Sequence, residues 1–172
     1  EANGAVICNL SFGSTEYDES VAQAIQNSNM LFVVAAGNGD RYANGYDIDQ
    51  YPVYPARLPF DNVITVGNIL FDGNLDESSN YGVQSVDLAA PGVYILSTVS
   101  DDQYGYMSGT SMAAPMVTGV AAMVYSSHPE LSVLGVKEVL LNSARRTDQL
   151  AGKVLTGGIL DAGAAMAYGQ AG

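Results

Sequence analysis

Apolar runs alternate with polar and amphipathic segments in the first part of the chain. Residues 4–10 (GAVICNL) and residues 30–39 (MLFVVAAGNG) are rich in aliphatic and β-branched side chains, which is typical of strands buried on both faces. Between them, residues 19–29 repeat apolar side chains at helical spacing behind Asp18, a residue type that caps helix N-termini. This succession predicts a β-α-β unit with parallel strands and a right-handed crossover.

The same alternation continues to the end of the chain. Residues 62–68 (NVITVGN) and 85–92 (SVDLAAPG) predict a third and a fourth strand. Four further elements are expected: a hairpin that turns at residues 100–102, a long apolar helix over residues 111–127, a helix from Ser132 to Ala144 and a short helix from Asp161 to Tyr168. The pattern predicts an α/β fold, with a mainly parallel β-sheet flanked by helices. Because no linker interrupts residues 1–172, one domain is expected.

A polar, tyrosine-rich segment, residues 40–61, separates the second and third predicted strands. Its tyrosines either pack and order the loop or contact a substrate, and the sequence leaves both interpretations open.

The amino-acid composition argues against several classes of function. The 172 residues include 18 acidic and 6 basic side chains, so the net charge is −12. Nucleic acid binding requires clustered Lys and Arg, and this balance argues against it. A single cysteine, Cys8, allows neither an internal disulfide nor a cysteine-based metal site. No apolar run reaches the roughly 18 residues that cross a membrane, so no membrane association is expected.

Two polar residues stand where ligands bind in parallel sheets, beyond the carboxyl ends of the strands. Asn38 follows the second predicted strand, and Ser111 stands at the start of the long apolar helix. Unpaired N–H groups and the helix dipole at that position would stabilise an oxyanion, as acyl transfer requires. A helix cap at Ser111 and a plain turn at Asn38 are the simpler alternatives.

The segment SGTSMAAP (108–115) strongly resembles the nucleophile motif of the subtilisin-like serine proteases, the subtilases. The segments ICNLSFG (7–13), VVAAGN (33–38), NVITVGN (62–68) and VDLAAPG (86–92) resemble further segments of that family, in the family's order. The resemblance implies the carboxyl-terminal part of a three-layer subtilisin-like catalytic domain, and a serine endopeptidase that acts on peptide or protein substrates.

Residue by residue, the resemblance implies that Ser111 is the nucleophile and that Asn38 is the side-chain donor of the oxyanion hole. Thr110 is expected to support that hole. Two segments are expected to flank a bound, extended peptide: Ser11, Phe12 and Gly13 on one side, and Ala35, Ala36 and Gly37 on the other.

The resemblance also implies three features away from the chemistry. A cis bond is expected between Tyr54 and Pro55. Carbonyl groups near Ala56 and Leu58, together with Asp61, are expected to bind a structural calcium ion, whereas the chemistry itself requires no cofactor. By the habit of the family, the protein is expected to be secreted or held at the cell surface.

The family's triad also contains an aspartate and a histidine that precede the serine, and neither of their motifs occurs here. The one histidine, His128, lies seventeen residues after Ser111, roughly 25 Å along the same helix, and is excluded as the base. The chain is therefore expected to be part of a larger catalytic domain and to be inactive alone.

Two consequences follow from this expectation. Residues 5–10 would form an exposed sheet edge that self-associates or pairs with the missing amino-terminal half of the domain. The alternative to an enzyme fragment is a non-catalytic module that binds peptides or acts as a scaffold. Retention of both Ser111 and Asn38 favours the enzyme.

Overall fold

The computed structural model describes residues 1–169. The strands are β1 (Ile7–Leu10), β2 (Leu31–Ala35), β3 (Val63–Ile69), β4 (Leu88–Pro91), β5 (Ile95–Val99), β6 (Gln103–Met107), β7 (Arg145–Arg146) and β8 (Gly158–Ile159). The helices are α1 (Glu19–Gln26), α2 (Thr110–Ser127), α3 (Val133–Ser143) and α4 (Ala162–Met166). The predicted α/β fold with a mainly parallel sheet is confirmed.

One sheet orders its strands β1-β2-β3-β4-β8-β7, and β5 and β6 pair separately. Strands β1 to β4 and β8 are parallel, and only β7 runs antiparallel to its neighbour within this sheet. Strand β1 therefore lies at one edge. The two-residue strands β7 and β8 are not predicted from the sequence, because segments this short have no measurable hydrophobic periodicity.

Alternate side chains of the central strands enter two separate cores. Leu31 and Val33 of β2 pack in a cluster with residues of α2, α3 and α4. Phe32 and Val34 pack on the opposite face with α1 and with residues 48–58. The sheet thus lies between two layers, since successive strand side chains point to opposite faces. Long apolar runs in the sequence reflect burial on both faces.

Backbone conformation sets the ends of two strands. Strand β1 begins at Ile7 rather than at residue 4, because Gly4 lies at φ +88° in a turn closed by its N–H on the carbonyl of Glu1. Strand β2 ends at Ala35, and Gly37 and Gly39 follow it at φ values of +99° and +76°, so the expected end of this strand at its glycines is confirmed.

Several local predictions are confirmed. Asp18 caps α1 by accepting hydrogen bonds from two backbone N–H groups of its first turn, and Ser132 caps α3. The β5–β6 hairpin turns at residues 100–102, and Tyr54–Pro55 is a cis bond. Within residues 1–169, no helix is both long enough and apolar enough to span a membrane.

Candidate functional site

Helix α2 starts at the carboxyl end of the parallel sheet and places Ser111 in its first turn. Gly109 precedes the helix at φ +143°, a conformation that side chains disfavour, and its N–H donates to the carbonyl of Gly92, 2.8 Å away. This bond fixes the helix start to the residue that follows β4. In this first turn the N–H of Thr110 donates to Asn38, and those of Met112 and Ala113 donate to the carbonyl of Gly109. The N–H of Ser111 and the positive end of the helix dipole therefore lie beside the Ser111 hydroxyl.

Asn38 is held in one orientation by Thr110. The Oδ1 atom of Asn38 accepts hydrogen bonds from the N–H and the hydroxyl of Thr110, both at 2.8 Å. The hydroxyl of Thr110 also accepts the N–H of Gly37 at 3.1 Å, and Thr110 is fully buried. With Oδ1 engaged, the Nδ2 group of Asn38 is the part of the amide left to donate to a ligand.

The hydroxyl of Ser111 is hydrogen-bonded to Ser11 rather than to a base. Its hydroxyl donates to the carbonyl oxygen of Ser11 at 3.3 Å, and the hydroxyl of Ser11 donates to the carbonyl oxygen of Ser111 at 2.9 Å. Pro115 explains the second bond. A proline has no N–H, so the carbonyl four residues before it lacks its helical partner.

A side-chain network extends this contact. Asn9 of β1 donates through Nδ2 to the hydroxyl of Ser11 at 2.8 Å, and its Oδ1 accepts the hydroxyl of Thr118 at 2.9 Å. Thr118 lies two turns further along α2 than Ser111. The network therefore fixes the end of β1 against α2 at two points, Asn9 and Ser11.

A cavity of about 240 Å³ opens beside Ser111. The register of β1 with β2 ends at Leu10 opposite Val34, and the chains that follow part to form its two walls. The lining residues are Phe12, Gly13, Ser14, Thr15, Ala35, Gly37, Asn38, Gly39, Tyr46, Val53, Asn80, Thr110 and Ser111. None of these side chains is charged, so the cavity fits an uncharged group.

Seven of these lining residues are site residues predicted from the sequence: Phe12, Gly13, Ala35, Gly37, Asn38, Thr110 and Ser111. Two other predicted site residues lie elsewhere. Ser11 contacts Ser111 at the rim, and Ala36 is fully buried, with its N–H bonded to the carbonyl of Val66. Tyr46 is the tyrosine of the 40–61 segment that reaches the cavity wall.

Asn80 organises the cavity floor and was not predicted. Its buried amide donates to the carbonyl of Ala36 at 2.9 Å and accepts the N–H groups of Gly39 and Tyr46 at 3.1 and 3.2 Å. Its backbone N–H donates to the carbonyl of Gly37 at 3.0 Å. One side chain thus holds the turn that carries Asn38. Asn80 stands in a polar stretch whose pattern resembles an ordinary loop, so no sequence signal marks it.

His128 takes no part in this site. It ends α2, its Nδ1 lies 3.2 Å from Oε1 of Glu130, and its ring packs edge-on against Tyr168. With 19% of its side chain exposed, it is more enclosed than a surface histidine. Among residues 1–169, no histidine or carboxylate side chain hydrogen-bonds to the Ser111 hydroxyl.

Two of the three residues expected to bind calcium, Ala56 and Asp61, have carbonyl groups that accept other hydrogen bonds. The carbonyl of Ala56 accepts the hydroxyl of Thr65 at 2.8 Å, and the carbonyl of Asp61 accepts the ammonium group of Lys137 at 3.1 Å. Calcium takes six to eight oxygen ligands, and an adjacent ammonium group repels it. Within the described part of the chain, no group of three or more His, Cys, Asp or Glu side chains converges. As placed here, the carbonyl oxygens of Ala56 and Asp61 do not fit a calcium ion.

Comparisons with known proteins are consistent with one family. A sequence profile of the subtilase family matches residues 1–164. The chain is 35% identical to subtilisin-like protease 2 of Plasmodium falciparum over 152 residues, which cover 84% of this chain and 11% of that protein. It is 34% identical to subtilisin DY of Bacillus licheniformis over 145 residues, covering 83% and 50%.

A solved protease structure from Pseudoalteromonas arctica superposes with a TM-score of 0.78 at 29% identity, over 97% of this chain and 52% of that one. The chain thus spans at most about half of each of these three relatives.

Proposed function

The chain belongs to the subtilase family, and we propose that it carries the nucleophile and the oxyanion hole of a serine endopeptidase. One observation carries the proposal: Thr110 holds Asn38 by its Oδ1 atom and leaves Nδ2 beside the first turn of α2, where Ser111 stands. Neither a helix cap nor a turn accounts for this arrangement, because the side chain of Ser111 accepts no N–H of its own helix.

In the proposed reaction, Oγ of Ser111 attacks the carbonyl carbon of a peptide bond, the C–N bond breaks, and the amine leaves with a proton returned by the base. Water then hydrolyses the ester on Oγ, which releases the acid and restores the serine. Nδ2 of Asn38 and the N–H of Ser111 donate hydrogen bonds to the substrate oxygen as negative charge develops on it. The hydroxyl proton must pass to a base, since an unassisted serine is barely nucleophilic at neutral pH. We propose that polypeptide outside these 172 residues supplies that base and its orienting carboxylate.

The proposed substrate is an extended peptide that lies between the two walls of the cavity. Residues 11–13 and residues 35–37 diverge from neighbouring parallel strands, which suits a third strand inserted between them. One substrate side chain would enter the 240 Å³ cavity, whose lining carries no charged group. An uncharged side chain is therefore expected there.

The second proposed partner is a strand that pairs with residues 5–10. Strand β1 is an edge of the six-stranded sheet, and edge strands offer unpaired backbone groups to other chains. We expect either self-association or pairing with the rest of the catalytic domain. Light scattering across micromolar concentrations tests the first, and a constant monomer mass would count against it. Export from the cell stays a prediction from the family.

Trapping of the acyl group tests the proposed chemistry without the missing base. The pure chain is incubated with a p-nitrophenyl ester of a blocked, uncharged amino acid, and imidazole serves as an external base. Intact-mass and peptide mapping should locate the acyl group on Ser111, at a rate that rises with imidazole concentration. The Asn38→Ala variant should acylate roughly 10²- to 10³-fold more slowly, the loss known for the corresponding asparagine of subtilisin.

Two controls separate the outcomes. Ser111→Ala should abolish the adduct, whereas Ser108→Ala, three residues away outside the cavity, should leave it unchanged. Acylation spread over surface residues, or unaffected by Asn38→Ala, would contradict the proposal. Binding of the peptide ester without any adduct would favour the non-catalytic peptide-binding module instead.

A further inference from the structure

Strand β3 leaves two carbonyl groups without a partner strand at its start. The carbonyl of Asn62 accepts the N–H of Phe32 on the β2 side. On the other side, the register of β3 with β4 begins only at Val66 opposite Leu88. The carbonyls of Asp61 and Val63 therefore face a notch in the sheet. Val63 is buried, and a buried carbonyl without a partner is costly, so its carbonyl requires a donor in this notch.

The side chain of Lys137 fills it. From α3, its Nζ atom donates to the carbonyl of Val63 at 2.6 Å and to the carbonyl of Asp61 at 3.1 Å. The side chain is half-buried, and it joins α3 to the point where β3 begins. An ammonium group is strongly hydrated, so it can be buried only where other oxygen atoms replace its water ligands. The two carbonyl oxygens replace them here.

A carboxylate stands close to the same notch. Asp87, which precedes β4, accepts the N–H of Thr65 on Oδ2 at 2.7 Å, and its own N–H donates to the carbonyl of Thr65. Burial raises the pKa of Asp87, while the positive charge of Lys137 and the N–H of Thr65 act in the opposite direction. Two carbonyl oxygens thus contact the ammonium group, and the carboxyl of Asp87 is near enough for its pKa to respond to the ammonium charge, so the surroundings are rich in oxygen and suit a cation.

We propose that Lys137 is a built-in structural cation, which takes the place of a metal ion between α3 and the segment 61–63. The ammonium group neutralises the oxygen-rich notch and clamps the helix to the sheet. It follows that the chain needs no metal ion in this segment. Removal of the ammonium group should convert the notch into a site that takes a cation from solution.

The experiment compares two variants that each lose one positive charge. Lys137→Met keeps the length and apolar stem of the side chain. Lys153→Met is the matched control, because Lys153 is the only other lysine of the sequence and is exposed, with its ammonium group over the ring of Tyr81. Thermal unfolding is followed in chelator-treated buffer with KCl or CaCl₂, against tetramethylammonium chloride at equal ionic strength. That large cation cannot enter the notch.

In tetramethylammonium chloride, Lys137→Met should unfold at a temperature roughly 5 °C below that of the wild type. Lys153→Met should unfold at nearly the same temperature as the wild type. Potassium or calcium should raise the unfolding temperature of Lys137→Met and so recover part of that loss. The same ions should shift the unfolding temperatures of the wild type and of Lys153→Met by equal amounts. A cation response of Lys137→Met no larger than that of Lys153→Met would overturn the inference. So would a wild-type response as large as that of Lys137→Met.

A second measurement applies if Lys137→Met does not fold. Calcium is titrated into the isotope-labelled wild-type chain, and the backbone amide signals of Asn62 and Ile64 are followed. Their peptide groups adjoin the carbonyls of Asp61 and Val63. These signals should stay in place while surface carboxylates respond, and saturable shifts at both amides would overturn the inference. Neither measurement depends on peptidase activity, so both are independent of the proposed function.

Discussion

Ser11 and Ser111 exchange hydrogen bonds, each donating its hydroxyl to the backbone carbonyl of the other, at 2.9 Å from Ser11 and 3.3 Å from Ser111. The two residues are 100 positions apart and belong to the end of β1 and the start of α2. Pro115 makes the contact possible, because it leaves the carbonyl of Ser111 without a helical partner. The same contact fixes the wall of the cavity against the serine.

Substitution of Ser11 tests whether this contact stabilises the start of α2. Ser11→Ala removes the hydrogen bond to Ser111 and the one from Asn9, so it should lower the free energy of unfolding by about 2 kcal/mol. In a Pro115→Ala background, a helical N–H becomes available to the carbonyl of Ser111, and Ser11→Ala should cost about half as much, because only the bond from Asn9 is then lost. Urea unfolding of the four proteins of this cycle gives the coupling.

The control is Ser20→Ala, at an exposed position in the first turn of α1. It should change stability by less than Ser11→Ala does. Equal costs of Ser11→Ala with and without Pro115 would mean that the proline does not determine this contact.

Asn80 should matter more for stability than its place in a polar loop suggests. Asn80→Ala removes the partner of three backbone groups, those of Ala36, Gly39 and Tyr46, inside the protein. Each group left unsatisfied costs about 1–3 kcal/mol, so a loss of about 3 kcal/mol or more is expected in urea unfolding. Asn74→Ala, in an exposed turn on Asp72, is the control and should cost far less. Similar losses for the two variants would contradict this role.

The sequence and the structure agree where hydrophobic patterning controls the outcome. The apolar runs of β2 and β3 and the stripe of α3 mark buried surfaces, and the sequence predicted all three. Contacts between distant polar residues are different, because nothing in the pattern pairs Asn80 with Ala36, or Lys137 with Val63. In the sequence, Asn80 and Lys137 both look like polar residues at solvent-exposed positions. Long-range hydrogen bonds need the fold before they can be recognised.

Asp87 and Asp72 should give stability opposite dependences on pH. Burial raises the pKa of Asp87, against the opposing effects of Lys137 and the N–H of Thr65. The folded state therefore keeps this proton to a higher pH than the unfolded state. Its contribution falls as pH rises above the ordinary aspartate pKa of about 3.9 and levels off beyond the raised pKa. Asp87→Asn should thus gain stability relative to the wild type as pH rises from 4 to 7.

Hydrogen bonds from the backbone and side chain of Asn74 lower the pKa of Asp72. Its stabilising contribution is complete above about pH 3.9 and is lost as pH falls through the lowered pKa. Asp72→Asn should therefore lose stability relative to the wild type as pH rises from 3 to 4. Urea unfolding in steps of half a pH unit measures both differences. Parallel curves for the wild type and Asp87→Asn between pH 4 and 7 would show that the carboxyl of Asp87 is not perturbed.

Thr110 should act on the proposed acyl transfer only through Asn38. Thr110→Val keeps the shape of the buried side chain but removes the hydroxyl that donates to Oδ1 of Asn38, so that only the backbone N–H of residue 110 still fixes the amide. A less restrained amide presents Nδ2 to the oxyanion less often, and acylation of Ser111 by the activated ester should slow about tenfold. Thr110→Ser retains the hydroxyl and should stay close to the wild-type rate.

In an Asn38→Ala background no amide remains to be oriented, so Thr110→Val should have no further effect on the rate. An equal tenfold loss in both backgrounds would mean that the valine disturbs the start of α2 itself, and that Thr110 does not position the asparagine.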